Sequence, residues 1–221
     1  MGRDSAKAFS ALFSGDTAQE HWTTIIKEFV GSMVLILVAS NTGLAGGFNW
    51  AISFVVLSIV MGEKHSMNSF LTFYRGFTGV DSIVETLTFL GAQFLGGFVA
   101  GHLGGAIGQT ADVVSGSFGI GEWQNGLRQF FAISIFLWTM NHANSGKLGD
   151  NMPKGIFMIA AIAVCFMFDG DFIFSYHRCF MNMDSIAATW SIALWGAAAC
   201  IFTHVKSKMM GVEDKWFFEV S

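Results

Sequence analysis

The chain has 221 residues, 52% of them apolar, with 12 Lys and Arg against 16 Asp and Glu and a formal net charge of −4. Charged residues make up 13% of the chain, well below the roughly 25% of soluble domains, and the mean hydropathy is +0.52. Such a composition belongs in a bilayer and excludes the basic footprint of a nucleic-acid-binding protein.

Residues 1–20 are polar and mixed in charge, with Arg3, Asp4, Lys7, Asp16 and Glu20. They do not resemble a cleavable leader and read as a cytosol-type tail, with a Phe9, Leu12 and Phe13 face suited to lying on the membrane. Apolar stretches follow at residues 21–44, 49–61, 82–107, 129–140, 153–174 and 187–204. Several reach the ~20 residues that a hydrocarbon core of about 30 Å demands. If all six are spans, then the tail, residues 63–75, residues 147–154, the segment from Lys206 and Lys27 share one side. That side carries ten of the twelve Lys and Arg residues and leaves Arg128 and Arg178 for the other. A multi-pass protein with both termini on the cytosolic-equivalent side is therefore predicted. Asp112, Glu122, Asp169 and Asp171 make the opposite face acidic.

Met67-Asn68 and Met181-Asn182 each stand just after an apolar run and open a short segment. A half-helix starting at Asn68 and ending near Arg75 would cover roughly 12 to 15 Å, half the core. The two halves echo one another: Lys27-Glu28-Phe29-Val30 opens the first span and Arg128-Gln129-Phe130-Phe131 the fourth. A unit of three spans is odd, so a second copy enters from the opposite side and the two Asn-led segments approach the midplane from opposite faces. The chain divides accordingly into a tail at 1–20, a first repeat at 21–110, a connecting loop at 111–122, a second repeat at 123–206 and a tail at 207–221.

Asparagine suits the head of such a segment. A helix start leaves N–H groups without partners, at a cost of several kcal/mol each in hydrocarbon. The Asn oxygen accepts from them, while its amide N–H groups face a passing solute. Two helix N-termini facing each other also oppose cations and protons. The competing reading is that Asn68 and Asn182 only cap interfacial helices.

Other patterns point to packing rather than chemistry. The glycines at 91, 96, 97, 101, 104, 105 and 108 allow close helix approach in lipid. Cys165, Cys179 and Cys200 have no CxxC spacing, so neither a disulfide framework nor a zinc site is expected. No HExxH or GxSxG string supports an enzyme. His177 and Cys179 could bind a soft metal, but no resident metal or other cofactor is predicted.

These residues resemble the aquaporin and glycerol-facilitator family, from about His21 to Lys208. Glu28-Phe29-Val30-Gly31-Ser32 resembles the family's opening helix, and His65-Ser66-Met67-Asn68-Ser69-Phe70-Leu71-Thr72 its first signature, normally Gly-His-x-Asn-Pro-Ala-Val-Thr. Gln93 with Gly96 and Gly97 resembles the third span, and Met181-Asn182-Met183-Asp184-Ser185 stands where the second Asn-Pro-Ala-Arg signature belongs. The resemblance implies an all-α membrane protein with six transmembrane helices and two re-entrant half-helices, usually a homotetramer. It implies passive flow of water or a small uncharged solute past Asn68 and Asn182. It also implies that Glu28 tethers the first re-entrant loop, with Gln129 at the matching place in the second half. Cys179 then reads as a pore-lining thiol.

The departures bear on conduction. Ser69 and Met183 replace both prolines, and Phe70 and Asp184 replace both small residues that follow. Phe70 adds bulk where the half-helices should touch, enough to separate them or narrow the pore. Asp184, if ionised, would offset the potential that excludes cations. Ser185 stands where the resemblance places the selectivity-filter arginine; Arg178 lies four residues before Asn182, the wrong place for a simple swap. Trp50 matches the filter aromatic of the second span or belongs to an interfacial belt, with Phe54 as the other candidate. Three readings follow: a channel for water or a small neutral solute, a non-conducting subunit of a larger membrane complex, and a cation leak assisted by Asp184.

Overall fold

The computed structural model describes residues 16–40, 46–62, 65–106, 123–144, 154–166 and 186–211. Among these residues all regular structure is helical, in seven helices: α1 (Asp16–Ser40), α2 (Gly46–Met61), α3 (Ser69–Thr78), α4 (Ile83–Ala106), α5 (Trp123–Asn144), α6 (Lys154–Phe166) and α7 (Ile186–Met209). Two of them, over Ala18–Val38 and Ile83–Gly104, are long and apolar enough to cross a membrane. At 1.5 Å per residue, the 22 residues of α5 and 24 of α7 reach about the same length.

Helix bounds differ from the apolar stretches because a helix is carried by backbone hydrogen bonds, which polar side chains do not interrupt. α1 begins at Asp16, inside the segment expected to be tail, and α5 runs beyond residues 129–140 at both ends. The start of α4 is set by a capping box: the Glu85 N–H donates to Ser82 Oγ at 3.2 Å and the Ser82 N–H to Glu85 Oε2 at 2.7 Å. α3 stops at Gly79, whose φ of +79° is the left-handed conformation that glycine adopts without penalty. Its N–H donates to Gly76 O at 3.2 Å and that of Val80 to Arg75 O at 2.9 Å, closing the helix end.

The helix packing has a regular pattern. α1 lies along α4 and also meets α2; α5 lies along α7 and also meets α6; α2 and α6 join the two groups, and α3 sits against α4 and α7. The α1–α4 crossing is close at Gly96, where a Cβ would strike the Phe29 carbonyl oxygen. At the α5–α7 crossing, the Trp195 indole covers Gly126. A continuous core of Leu35, Phe54, Met67, Phe70, Tyr74, Phe136 and Met140 fills the space between the helices. The outer faces are also apolar: Ile26, Val60, Ile83, Leu87, Leu95, Phe131 and Leu194 are all exposed. Water would leave that surface unfavourably hydrated, and lipid would not.

Candidate functional site

α3 is only 10 residues long, yet its first turn is fully inside the protein. Asn68 is its N-cap, with extended backbone at φ −147° and ψ 123°. Asn68 Oδ1 accepts from the Phe70 and Leu71 N–H groups, both at 3.0 Å. Asn68 is 0% exposed, so the cap lies within the helix assembly rather than at its surface. The Nδ2 group takes no part in the cap.

The turn leading into Asn68 is held by Glu28 of α1. Glu28 Oε1 accepts from the Ser66 N–H at 2.5 Å and Ser66 Oγ–H at 2.9 Å; Oε2 accepts from the Met67 N–H at 2.8 Å and Gln93 Nε2 at 2.7 Å. Gln93 Nε2 also donates to Thr72 Oγ1 at 2.7 Å and approaches Ser66 Oγ at 3.1 Å, and Ser66 Oγ and Thr72 Oγ1 are in close contact. The donors have one consistent arrangement. Ser66 gives its proton to Glu28, Thr72 gives its own to Ser66, and the Gln93 amide serves Glu28 and Thr72. A buried carboxylate needs such a full set of donors.

Met67 has φ +47°, a left-handed conformation costing about 1–2 kcal/mol for a residue with a Cβ. Its bond to Glu28 and its side-chain packing hold it there. The thioether fills a notch over Gly31, where an added Cβ would lie 2.5 Å from the sulfur. Gly31 in α1 is thus the complement of the turn before Asn68.

The Phe70 ring is 5% exposed and lies against Gly196 of α7, where a Cβ would strike two of its ring carbons. Phe54 of α2 is completely buried, edge-on to Phe136 of α5, with ring centroids 5.9 Å apart and planes at 73°. Trp50 falls in the first turns of α2. Gln129 of α5 is 1% exposed, and among the described residues neither of its amide atoms has a hydrogen-bond partner. Asn182, Asp184, Ser185 and Cys179, with His177 and Arg178, lie outside the described residues. Among the described residues no cluster of His, Cys, Asp and Glu could hold a metal ion.

Ser66, Ser69, Thr72 and Gln93 stood within the motif strings, but none was expected as a side-chain member of this network. The signal was there: Ser66, Ser69 and Thr72 recur at intervals of three, and Gln93 interrupts an apolar span. Arg75, expected near the end of the half-helix and among the cations of one side, sits in α3 with 6% exposure and pairs through Nη2 with Asp81 Oδ1 at 2.7 Å. His21 Nδ1 lies 3.5 Å from Glu85 Oε1 beside this pair.

Burial pushes the Asp81 carboxyl above its ordinary value and outweighs the downward pull of Arg75. A carboxyl whose folded pKa is raised contributes stability that is complete below the ordinary value and is lost as pH rises through the folded one. The melting midpoint in detergent is therefore expected to fall from about pH 4 upward more steeply for the native chain than for Asp81→Asn. Equal slopes would remove Asp81 as the source. No protein-family model matches this chain, and no curated protein is significantly similar to it.

Proposed function

We propose that the chain is an integral membrane protein with an aquaporin-like inverted repeat, which lets water or a small uncharged solute pass passively. The observation that carries this reading is the half-length helix α3, which starts in the protein interior on a buried Asn cap held by Glu28. A re-entrant helix start is stable in a bilayer only where protein or water satisfies its N–H groups, and substrate pathways are commonly built on such interrupted helices.

The helix pairs support the repeat. The α1–α4, α1–α2 pattern of the first half recurs as α5–α7, α5–α6 in the second, with α2 and α6 packed on each other. In this reading residues 21–110 and 123–206 are the two copies, both termini face the cytosolic-equivalent side, and α1, α2, α4, α5, α6 and α7 are the six spans. Asn68 and Asn182 orient the solute, and Gln129 serves the second loop as Glu28 serves the first. Four copies assemble as a tetramer.

One observation favours a second reading, a structural subunit of a larger membrane complex without conduction. The interior beside Asn68 is filled by Met67, Phe70 and Tyr74, none more than 5% exposed. Proteoliposomes separate the two. Channel function is expected to raise volume-relaxation rates in water, glycerol or urea gradients above those of empty vesicles, with Asn68→Ala lowering the gain. Rates equal to empty vesicles in all three gradients would sink the channel reading and leave the scaffold.

A further inference from the structure

We propose that Ser69 is a positioning residue: its hydroxyl orients the Gln93 amide and thereby fixes the N-terminal end of α3 on α4. Ser69 Oγ–H donates to Gln93 Oε1 at 3.1 Å. Ser69 is 3% and Gln93 0% exposed, so the bond lies inside the protein. With Oε1 held by Ser69, the Nε2 end of the amide is turned to Glu28 and Thr72, both at 2.7 Å. The hydroxyl thus stands one step behind the carboxylate that holds Ser66 and Met67.

Placement along the two helices gives this bond its leverage. α3 spans 10 residues, about 15 Å, and runs back along α4, where Gln93 lies a similar distance beyond Ile83. The Arg75–Asp81 pair holds the far end of α3 beside the start of α4. Ser69 and Gln93 hold the near end. A half-helix clamped at both ends has its N-cap residue, Asn68, fixed in depth. A proline at position 69 could pre-set φ for the helix start but has no group with which to reach Gln93. Serine exchanges that backbone rigidity for a side-chain bond.

The inference rests on the packing of α3 and α4 and not on conduction. Ser69 lines a cavity of about 180 Å³ with Phe73, Leu90, Phe94 and Ala197, so a γ-methyl has room. Ser69→Thr and Ser69→Val are therefore a matched pair that differ in the hydroxyl alone. The readout is hydrogen exchange at the Gln93 side-chain amide, followed by NMR on the full chain in detergent and assigned by its loss in Gln93→Leu. Exchange in Ser69→Thr is expected to stay near the native rate, and in Ser69→Val and Ser69→Pro to rise about tenfold, the scale of one net hydrogen bond. Folding of Ser69→Thr with failure of Ser69→Val also supports a hydroxyl requirement. Equal exchange in Thr and Val variants, or failure of both to fold, overturns the proposal. A native chain that conducts nothing would defeat the channel reading and leave these rates as they are.

Discussion

Glu28→Ala is expected to be the most damaging single change in the described part of the molecule. It removes the acceptor of Ser66 N–H, Ser66 Oγ–H, Met67 N–H and Gln93 Nε2 at once, all inside the protein. Leaving a buried donor unsatisfied costs about 1–3 kcal/mol, so several orphaned together remove a large part of the roughly 5–15 kcal/mol by which domains are stable. Met67 adds to the effect, because its left-handed φ of +47° loses the bond that maintains it. The expected result is loss of a monodisperse peak on fluorescence-detected size exclusion in mild detergent, or a fall in melting midpoint by about 10 °C, at about 2–4 °C per kcal/mol for a chain of this size. Glu28→Gln should fall between, since an amide has one acceptor atom where the carboxylate has two. Gln129→Ala should cost less than Glu28→Ala, because among the described residues the Gln129 amide has no hydrogen bond to lose. A Glu28→Ala protein as stable as the native chain would mean that the network is not a tether.

Several features of this fold could be read from residues alone, and the reasons differ from case to case. The half-helix was legible because Asn68 follows an apolar run and precedes a segment too short to span, and α3 indeed starts at Ser69 on an Asn68 cap. A carboxylate in an apolar stretch marked Glu28 as a residue in need of partners, but its tethering role came only from the family resemblance. Its partners Ser66 and Met67 were within the motif string, but Gln93, 65 residues away, could be placed only by folding. The direction of Phe70 was illegible for the same reason. Its size is local information, whereas the space that receives it belongs to Gly196, on a helix more than a hundred residues later. The partner of Arg75 was illegible because charge bias along a sequence assigns sides of a membrane and says nothing about a nearby acid. Asp81 follows the glycine cap of α3, and the turn returns its carboxylate to Arg75.

The Phe70–Gly196 contact has the second large expected effect, and it divides shape from polarity as determinants of the half-helix position. Phe70→Ala removes a buried aromatic ring, a loss of about 3–5 kcal/mol when the cavity does not collapse. Gly196→Ala places a methyl where the Phe70 ring carbons lie, and overpacking of this kind costs about 1–3 kcal/mol. Each change alone is destabilising, but the two are not independent, because the methyl clashes only while the ring is present. In Phe70→Ala with Gly196→Ala the clash vanishes and the methyl fills part of the space left behind. The double variant is expected to be more stable than the sum of the single losses by about 1–3 kcal/mol, the range for residues in direct contact. Denaturation midpoints of the four proteins in one detergent measure the coupling. A coupling near zero would mean that the ring does not rest on Gly196. A favourable coupling would establish that this chain accommodates a bulky residue after its first Asn cap by removing a side chain from α7. The depth of α3 would then be set by two unlike restraints, the Glu28–Gln93 polar network on its α4 side and the ring seated at Gly196 on its α7 side.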